Sequence, residues 1–137
     1  FPDRCAGCGK TGGIVCDACR AALRPVRAPW CDRCGAPTAW PVSRCRECSG
    51  RRLSFATARA AVAYVPPVPA LVRGWKERGL HRLAAPAAEL VARLLEQPAA
   101  DVITYIPPDG DRSAGVDTTL RGLARELADA WGVEAAP

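Results

Sequence analysis

The residues of this chain best suited to chemistry are its eight cysteines, and all of them fall in four Cys-x-x-Cys knuckles: Cys5/Cys8, Cys16/Cys19, Cys31/Cys34 and Cys45/Cys48. A Cys-x-x-Cys pair can set two thiolates on one metal ion, and tetrahedral zinc takes four ligands. Four knuckles therefore imply two structural four-cysteine zinc sites. Other cysteine chemistries fit the pattern less well. A secreted disulfide scaffold rarely spaces every cysteine this way, and no export signal is visible in the sequence. Redox-active Cys-x-x-Cys motifs sit beside a βαβ pattern, which is lacking around these knuckles.

The knuckles alternate in kind. Cys5-Ala6-Gly7-Cys8 and Cys31-Asp32-Arg33-Cys34 are each followed by a glycine, Gly9 and Gly35, which permits the left-handed backbone of a tight turn. Cys16-Asp17-Ala18-Cys19 and Cys45-Arg46-Glu47-Cys48 lack it. A glycine knuckle followed by a plain one, twice over, reads as an internal repeat. It predicts sequential pairing, with Cys5, Cys8, Cys16 and Cys19 on one zinc and Cys31, Cys34, Cys45 and Cys48 on the other. Spacing alone leaves cross-braced pairing open.

Zinc also changes the charge argument. The formal net charge is +5, which invites a nucleic-acid reading. Each zinc held by four thiolates adds two negative charges, which leaves about +1. The excess is concentrated early: through Ala60 there are eleven Lys/Arg against four Asp/Glu. Arg44, Arg46, Arg51 and Arg52 gather around the last knuckle. Two roles remain open for them, offsetting the zinc–thiolate charge or contacting phosphates. Trp30 and Trp40, beside the second ribbon, are either stacking platforms for bases or part of the ribbon's packing.

These sites need a frame. A chain of 137 residues, 49% hydrophobic and 24% charged, has the length of about one ordinary globular domain. No apolar run is long enough to span a bilayer. The chain contains no methionine, not even at position 1, so it is expected to be a piece of a longer protein, cut at both ends. Cysteines stop after Cys48, which puts a boundary near residue 50. Beyond it, residues 55–65 read as an extended segment closed by Pro66-Pro67. Pro69 suits the first turn of a short helix carrying Leu71, Val72 and Trp75 and stopped at Gly79. A second helix is expected from near Pro86 to Gln97-Pro98, with Ala87, Leu90, Val91 and Leu94 on its apolar face. The run from Val102 to Ile106 reads as a strand buried on both faces. After a polar loop, Asp117 is placed to cap a helix lined by Leu120, Leu123, Ala124, Leu127 and Trp131. Strand, polar loop and amphipathic helix make the first unit of a parallel α/β sheet, in which residues 109–118 would lie where a phosphate binds.

The order of these pieces resembles the ComF family, phosphoribosyltransferase-like proteins with an N-terminal zinc ribbon. The resemblance runs from Phe1-Pro2-x-x-Cys5-x-x-Cys8-Gly9 through Cys31-x-x-Cys34-Gly35-Ala36-Pro37. It continues with Leu71-Val72-x-x-x-Lys76-x-x-Gly79 and Val102-Ile103-x-x-Ile106-Pro107, and ends with Leu123-Ala124-Arg125. It implies a tandem zinc ribbon over residues 1–50, followed over 51–137 by the truncated start of an α/β type I phosphoribosyltransferase-like domain. It also implies a cytoplasmic role in DNA uptake (competence) or nucleotide metabolism, with single-stranded DNA or a protein of the uptake machinery as partner. The full-length protein would take magnesium with phosphoribosyl pyrophosphate.

The resemblance further implies a pyrophosphate loop after Pro107, carried here by Arg112, Gly115 and Asp117. Ala114 replaces the family's second arginine and Val116 its aromatic, which removes a bidentate phosphate partner. The family's acidic, threonine- and glycine-rich loop for the ribose phosphate does not occur in the chain. No catalytic residue is therefore assigned, and the piece itself is expected to lack transferase activity. The alternative reading is a nucleic-acid- or protein-binding zinc ribbon with a non-catalytic α/β scaffold. Lys76 and His81 read as surface residues, Asp109 and Asp111 as turn formers, and Trp75 and Trp131 as core.

Overall fold

The computed structural model describes residues 3–106 and 114–136, with the side chains of 114–118 outside that description. Four α-helices are described: α1 (Asp17–Ala21), α2 (Val68–Arg78), α3 (Ala84–Leu94) and α4 (Ala114–Trp131). A 3-10 turn, His81–Leu83, leads into α3, and two short strands, β1 (Val102–Ile103) and β2 (Glu134–Ala135), flank α4.

The chain forms two compact units, one of Phe1–Leu23 with Tyr64–Pro137 and the other of Arg24–Ala63. The first pair of knuckles groups with the helices, and residues 51–63 group with the second pair.

In the helical unit, α2 begins at Val68 with proline in its first turn, where the missing N–H costs nothing. It ends at Gly79, whose φ of 62° is left-handed, and the N–H groups of Gly79 and Leu80 both close on the Gly74 carbonyl. α3 starts two residues before Pro86, which therefore sits in the first turn and interrupts no helical hydrogen bond. It packs against α4 along small side chains. Among the described side chains, Ala84 and Ala88 on α3 and Ala124 and Ala128 on α4 are the buried alanines of these helices, and a Cβ on Gly122 would lie 3.5 Å from that of Ala84. Two helix backbones this close leave room only for small residues at the contact line. Leu90, Val91 and Leu94, like Leu120, Leu123, Leu127 and Trp131, flank it half-buried. Buried Thr119 on α4 meets exposed His81, with Oγ1 2.7 Å from Nδ1.

β1 and β2 pair in parallel, Val102 with Glu134 and Ile103 with Ala135, so β1–α4–β2 is a small βαβ unit. Two expectations are corrected here. The strand expected over Val102 to Ile106 and buried on both faces shrinks to two residues, with Val102 45% and Ile106 87% exposed. A strand is covered on both faces only inside a wider sheet with helices on each side, and β1 pairs with one two-residue strand. The helix expected to be capped by Asp117, and so to start at Thr118, begins four residues earlier, at Ala114, so Asp117 lies within its first turns.

The smaller unit is closed by an antiparallel ladder joining its ends. Pro25 bridges Val62, the Val26 N–H donates to the Ala61 carbonyl at 3.1 Å, and the Ala63 N–H donates to Arg24 at 2.8 Å. The extended segment expected over 55–65 thus joins this ladder only near its end, and Ala58 makes a separate backbone bond to Arg33.

Candidate metal centres

Each quartet is built from two knuckles, each closed by its own backbone hydrogen bonds. In the first, the Gly9 N–H donates to the Cys5 carbonyl at 2.8 Å and the Cys5 N–H to Lys10 at 2.8 Å. In the second, the Gly35 N–H donates to Cys31 at 2.9 Å and the Cys31 N–H to Ala36 at 2.8 Å. The bridges Arg4–Thr11 and Trp30–Pro37 repeat the same offset. Gly9 and Gly35 have φ of 76° and 71°, the left-handed turn expected of them. The plain knuckles match as well: Arg20 N–H reaches the Cys16 carbonyl at 2.9 Å, and Ser49 N–H reaches Cys45 at 2.9 Å. The sequence repeat is therefore a repeat of backbone geometry.

The sulfur atoms gather as Cys5, Cys8, Cys16, Cys19 and as Cys31, Cys34, Cys45, Cys48, each set lying within 4.8 Å. Sequential pairing is the arrangement found, not cross-bracing. Within the sets, Cys8 and Cys16 are 3.6 Å apart, Cys31 and Cys48 3.5 Å, Cys34 and Cys45 3.5 Å, and Cys45 and Cys48 3.8 Å. A tetrahedron with zinc–sulfur bonds of about 2.3 Å has sulfur–sulfur edges of about 3.8 Å, whereas a disulfide bond is about 2.05 Å. The spacing fits zinc.

Backbone donors tune the thiols. The Cys5 sulfur accepts the N–H of Gly7 at 3.4 Å and of Cys16 at 3.3 Å, and the Cys31 sulfur accepts that of Cys45 at 3.1 Å. Burial alone would raise both pKa values, but these donors outweigh it. Cys5 falls to about 6 and Cys31 to about 6. Cys19 and Cys48 are each pushed up to about 12, first by burial and then by neighbouring thiols. Before metal binds, each quartet thus holds one sulfur drawn toward the thiolate and another held as thiol.

The supports of the two knuckles differ. At the first, Ala6 is buried, and a Cβ on Gly7 would lie 2.9 Å from the Cys19 sulfur and 3.2 Å from Pro67 Cβ. At the second, the Arg33 guanidinium donates to the Leu53 carbonyl at 2.7 Å and lies 5.7 Å from the centre of the Phe55 ring. The Ala58 N–H donates to Arg33 at 2.9 Å, and Arg59 donates to Asp32 at 2.9 Å while covering the Trp30 ring at 5.3 Å. Sequence reasoning passed over Ala6, Gly7, Arg33 and Arg59. The small residues inside the first knuckle were the available signal.

Other expected positions divide as follows. Arg44 donates to the carbonyls of Cys48 at 3.4 Å and Arg51 at 3.2 Å, bracing the last knuckle. Arg46, Arg51 and Arg52 are exposed, and Trp40 is 69% exposed while Trp30 is half-covered. Arg112, Asp109 and Asp111 lie outside the described residues, whereas Gly115 and Asp117 lie in α4 with side chains outside the description. No helix among the described residues is long and apolar enough to cross a membrane.

No curated protein and no solved structure matches the chain. The family model of the double zinc ribbon domain does match, over residues 1–49. With two four-cysteine sites in that segment, it is a zinc-binding module that accommodates two zinc ions.

Proposed function

We propose that this chain is the zinc-stabilised N-terminal portion of a ComF-like protein of the phosphoribosyltransferase family, acting in the cytoplasm in DNA uptake or nucleotide metabolism. The observation carrying this reading is the parallel β1–α4–β2 unit that follows the double ribbon. In such units the loop between strand and helix meets free helix N–H groups, where anions bind. Arg112, Gly115 and Asp117 would hold pyrophosphate there, on the strength of the sequence resemblance. Magnesium would enter with phosphoribosyl pyrophosphate in the full-length protein. One arginine without its usual second partner supports weak binding only, and the chain carries no second anion loop to hold the ribose phosphate. Calorimetry on the 137-residue chain should show weak, salt-sensitive binding of magnesium pyrophosphate that Arg112→Ala abolishes. A pyrophosphate-release assay should show no turnover. Absence of binding, or measurable turnover, would overturn this assignment.

A second reading, a nucleic-acid-binding ribbon module, rests on how charge is partitioned. The unit Arg24–Ala63 contains eight arginines, no lysine, and only Asp32 and Glu47 as acids, a formal +6; the remainder of the chain is −1. With zinc bound the smaller unit keeps about +4. Arg46, Arg51 and Arg52 supply phosphate contacts and Trp40 a stacking face for single-stranded DNA. Replacing those three arginines by glutamine should reduce the salt slope of single-stranded DNA binding by about 2. An unchanged slope would favour a protein of the uptake machinery as partner.

A further inference from the structure

We propose that the first zinc site and helix α2 are one coupled structure, in which the docking of α2 sets how tightly that site holds its metal. This rests on the zinc-binding reading of the two quartets and goes beyond it, because it assigns the sites different roles.

The argument starts from Gly74, a mid-helix glycine that costs about 1 kcal/mol relative to alanine. The position has a packing reason. A Cβ there would lie 2.8 Å from the Arg78 guanidinium, 3.2 Å from Leu80 Cδ1 and 3.4 Å from Ala6 Cβ, so the helix approaches the Cys5–Cys8 knuckle closely. Along the same stretch, a Cβ on Gly7 would lie 3.2 Å from Pro67 and 3.5 Å from Leu71. The Arg78 guanidinium donates to the Ala6 carbonyl at 3.3 Å, and Arg82 pairs with Asp3 at 2.8 Å. Gly7 therefore packs against both a ligand sulfur, Cys19, and the start of α2, with no room for a side chain.

Zinc selects the knuckle conformation to which α2 docks, so docking and metal binding favour each other by the same factor. The second knuckle takes its supports from Leu53, Ala58 and Arg59 within its own unit.

Single-site variants of the 137-residue chain test this. Cys45→Ser retains the first quartet and Cys16→Ser retains the second. Adding Gly74→Leu should weaken zinc in the Cys45→Ser chain by about ten-fold or more in chelator competition, and in the Cys16→Ser chain by less than about two-fold. Arg78→Gln, which leaves helix packing in place, should weaken the first site by about five-fold with the far-ultraviolet circular dichroism unchanged. Hydrogen exchange of the α2 amides should accelerate in Cys16→Ser and not in Cys45→Ser. Equal weakening of both sites, or an unchanged first site in both the Gly74→Leu and Arg78→Gln chains, would overturn the coupling. Fewer than two zinc ions on the unsubstituted chain would overturn the metal reading instead.

Discussion

The guanidinium of Arg78 donates a hydrogen bond to the carbonyl of Ala6 across 72 residues of chain, at 3.3 Å. Ala6 lies between two zinc-ligating positions and Arg78 is the last residue of α2, so the bond ties a metal knuckle to a helix end. It explains why the first ribbon groups with the helices. The second ribbon, supported by Leu53, Ala58 and Arg59, is closed by its own ladder.

The first prediction concerns metal content. Purified protein should contain two zinc ions per chain, and chelation should unfold at least the Arg24–Ala63 unit. Structural zinc sites supply about 10–16 kcal/mol of apparent binding free energy at neutral pH, which a small ribbon cannot replace by packing. Elemental analysis and circular dichroism before and after chelation check this; disulfides in place of zinc would contradict it.

A second prediction follows from the ladder between residues 24–26 and 61–63. A peptide of residues 24–63 should fold around a single zinc, because its four ligands and their supports lie within it. A peptide of residues 1–29 should also hold one zinc, more weakly, since it lacks α2. Stoichiometry and chelator competition on the two peptides read this out. Failure of the 24–63 peptide to bind metal would contradict sequential pairing.

The two knuckle glycines should respond differently to alanine. Both have positive φ, which costs an L-residue roughly 1–2 kcal/mol. At Gly9 nothing lies within 4 Å of an added Cβ, so that penalty is the whole cost. At Gly35 the added atom meets the Ala58 carbonyl, so the segment holding the knuckle must also shift. Gly35→Ala should therefore lower stability by about 1–3 kcal/mol more than Gly9→Ala. Thermal melts of the zinc-loaded chains compare them.

Acidity supplies the fourth prediction. Before metal binds, backbone N–H donors hold the Cys5 and Cys31 thiols at about 6, below the ordinary thiol value of 9.0. Their stabilisation is present above that ordinary value and is lost as pH falls through about 6, where zinc must also compete with protons. Cys19 and Cys48, near 12, are thiols at neutral pH and must each give up a proton to the metal. Zinc binding at pH 7 should release at least about two protons per chain, and loading should fail steeply below about pH 6. Calorimetry in buffers of different ionisation enthalpy counts the protons; release of none would contradict the thiol assignment.

The sequence by itself determined the metal chemistry and its repeat. Cys-x-x-Cys spacing brings two sulfurs together within a few residues, and the glycines after Cys8 and Cys34 are required by a local left-handed turn. Both constraints act over fewer than ten residues, so both are legible without a fold. The same holds for α2, bounded by Pro69 and Gly79. Only the tertiary structure decided which partners support each knuckle and where the compact units divide. Ala6 against Gly74 and Arg33 against Leu53 are contacts between segments distant in the chain, and composition does not change where they meet. Tertiary packing likewise chose alanines for the α3–α4 contact line, because the spacing of two helices depends on both faces at once. It also left Val102 and Ile106 exposed, since burial of a strand is a property of the sheet around it.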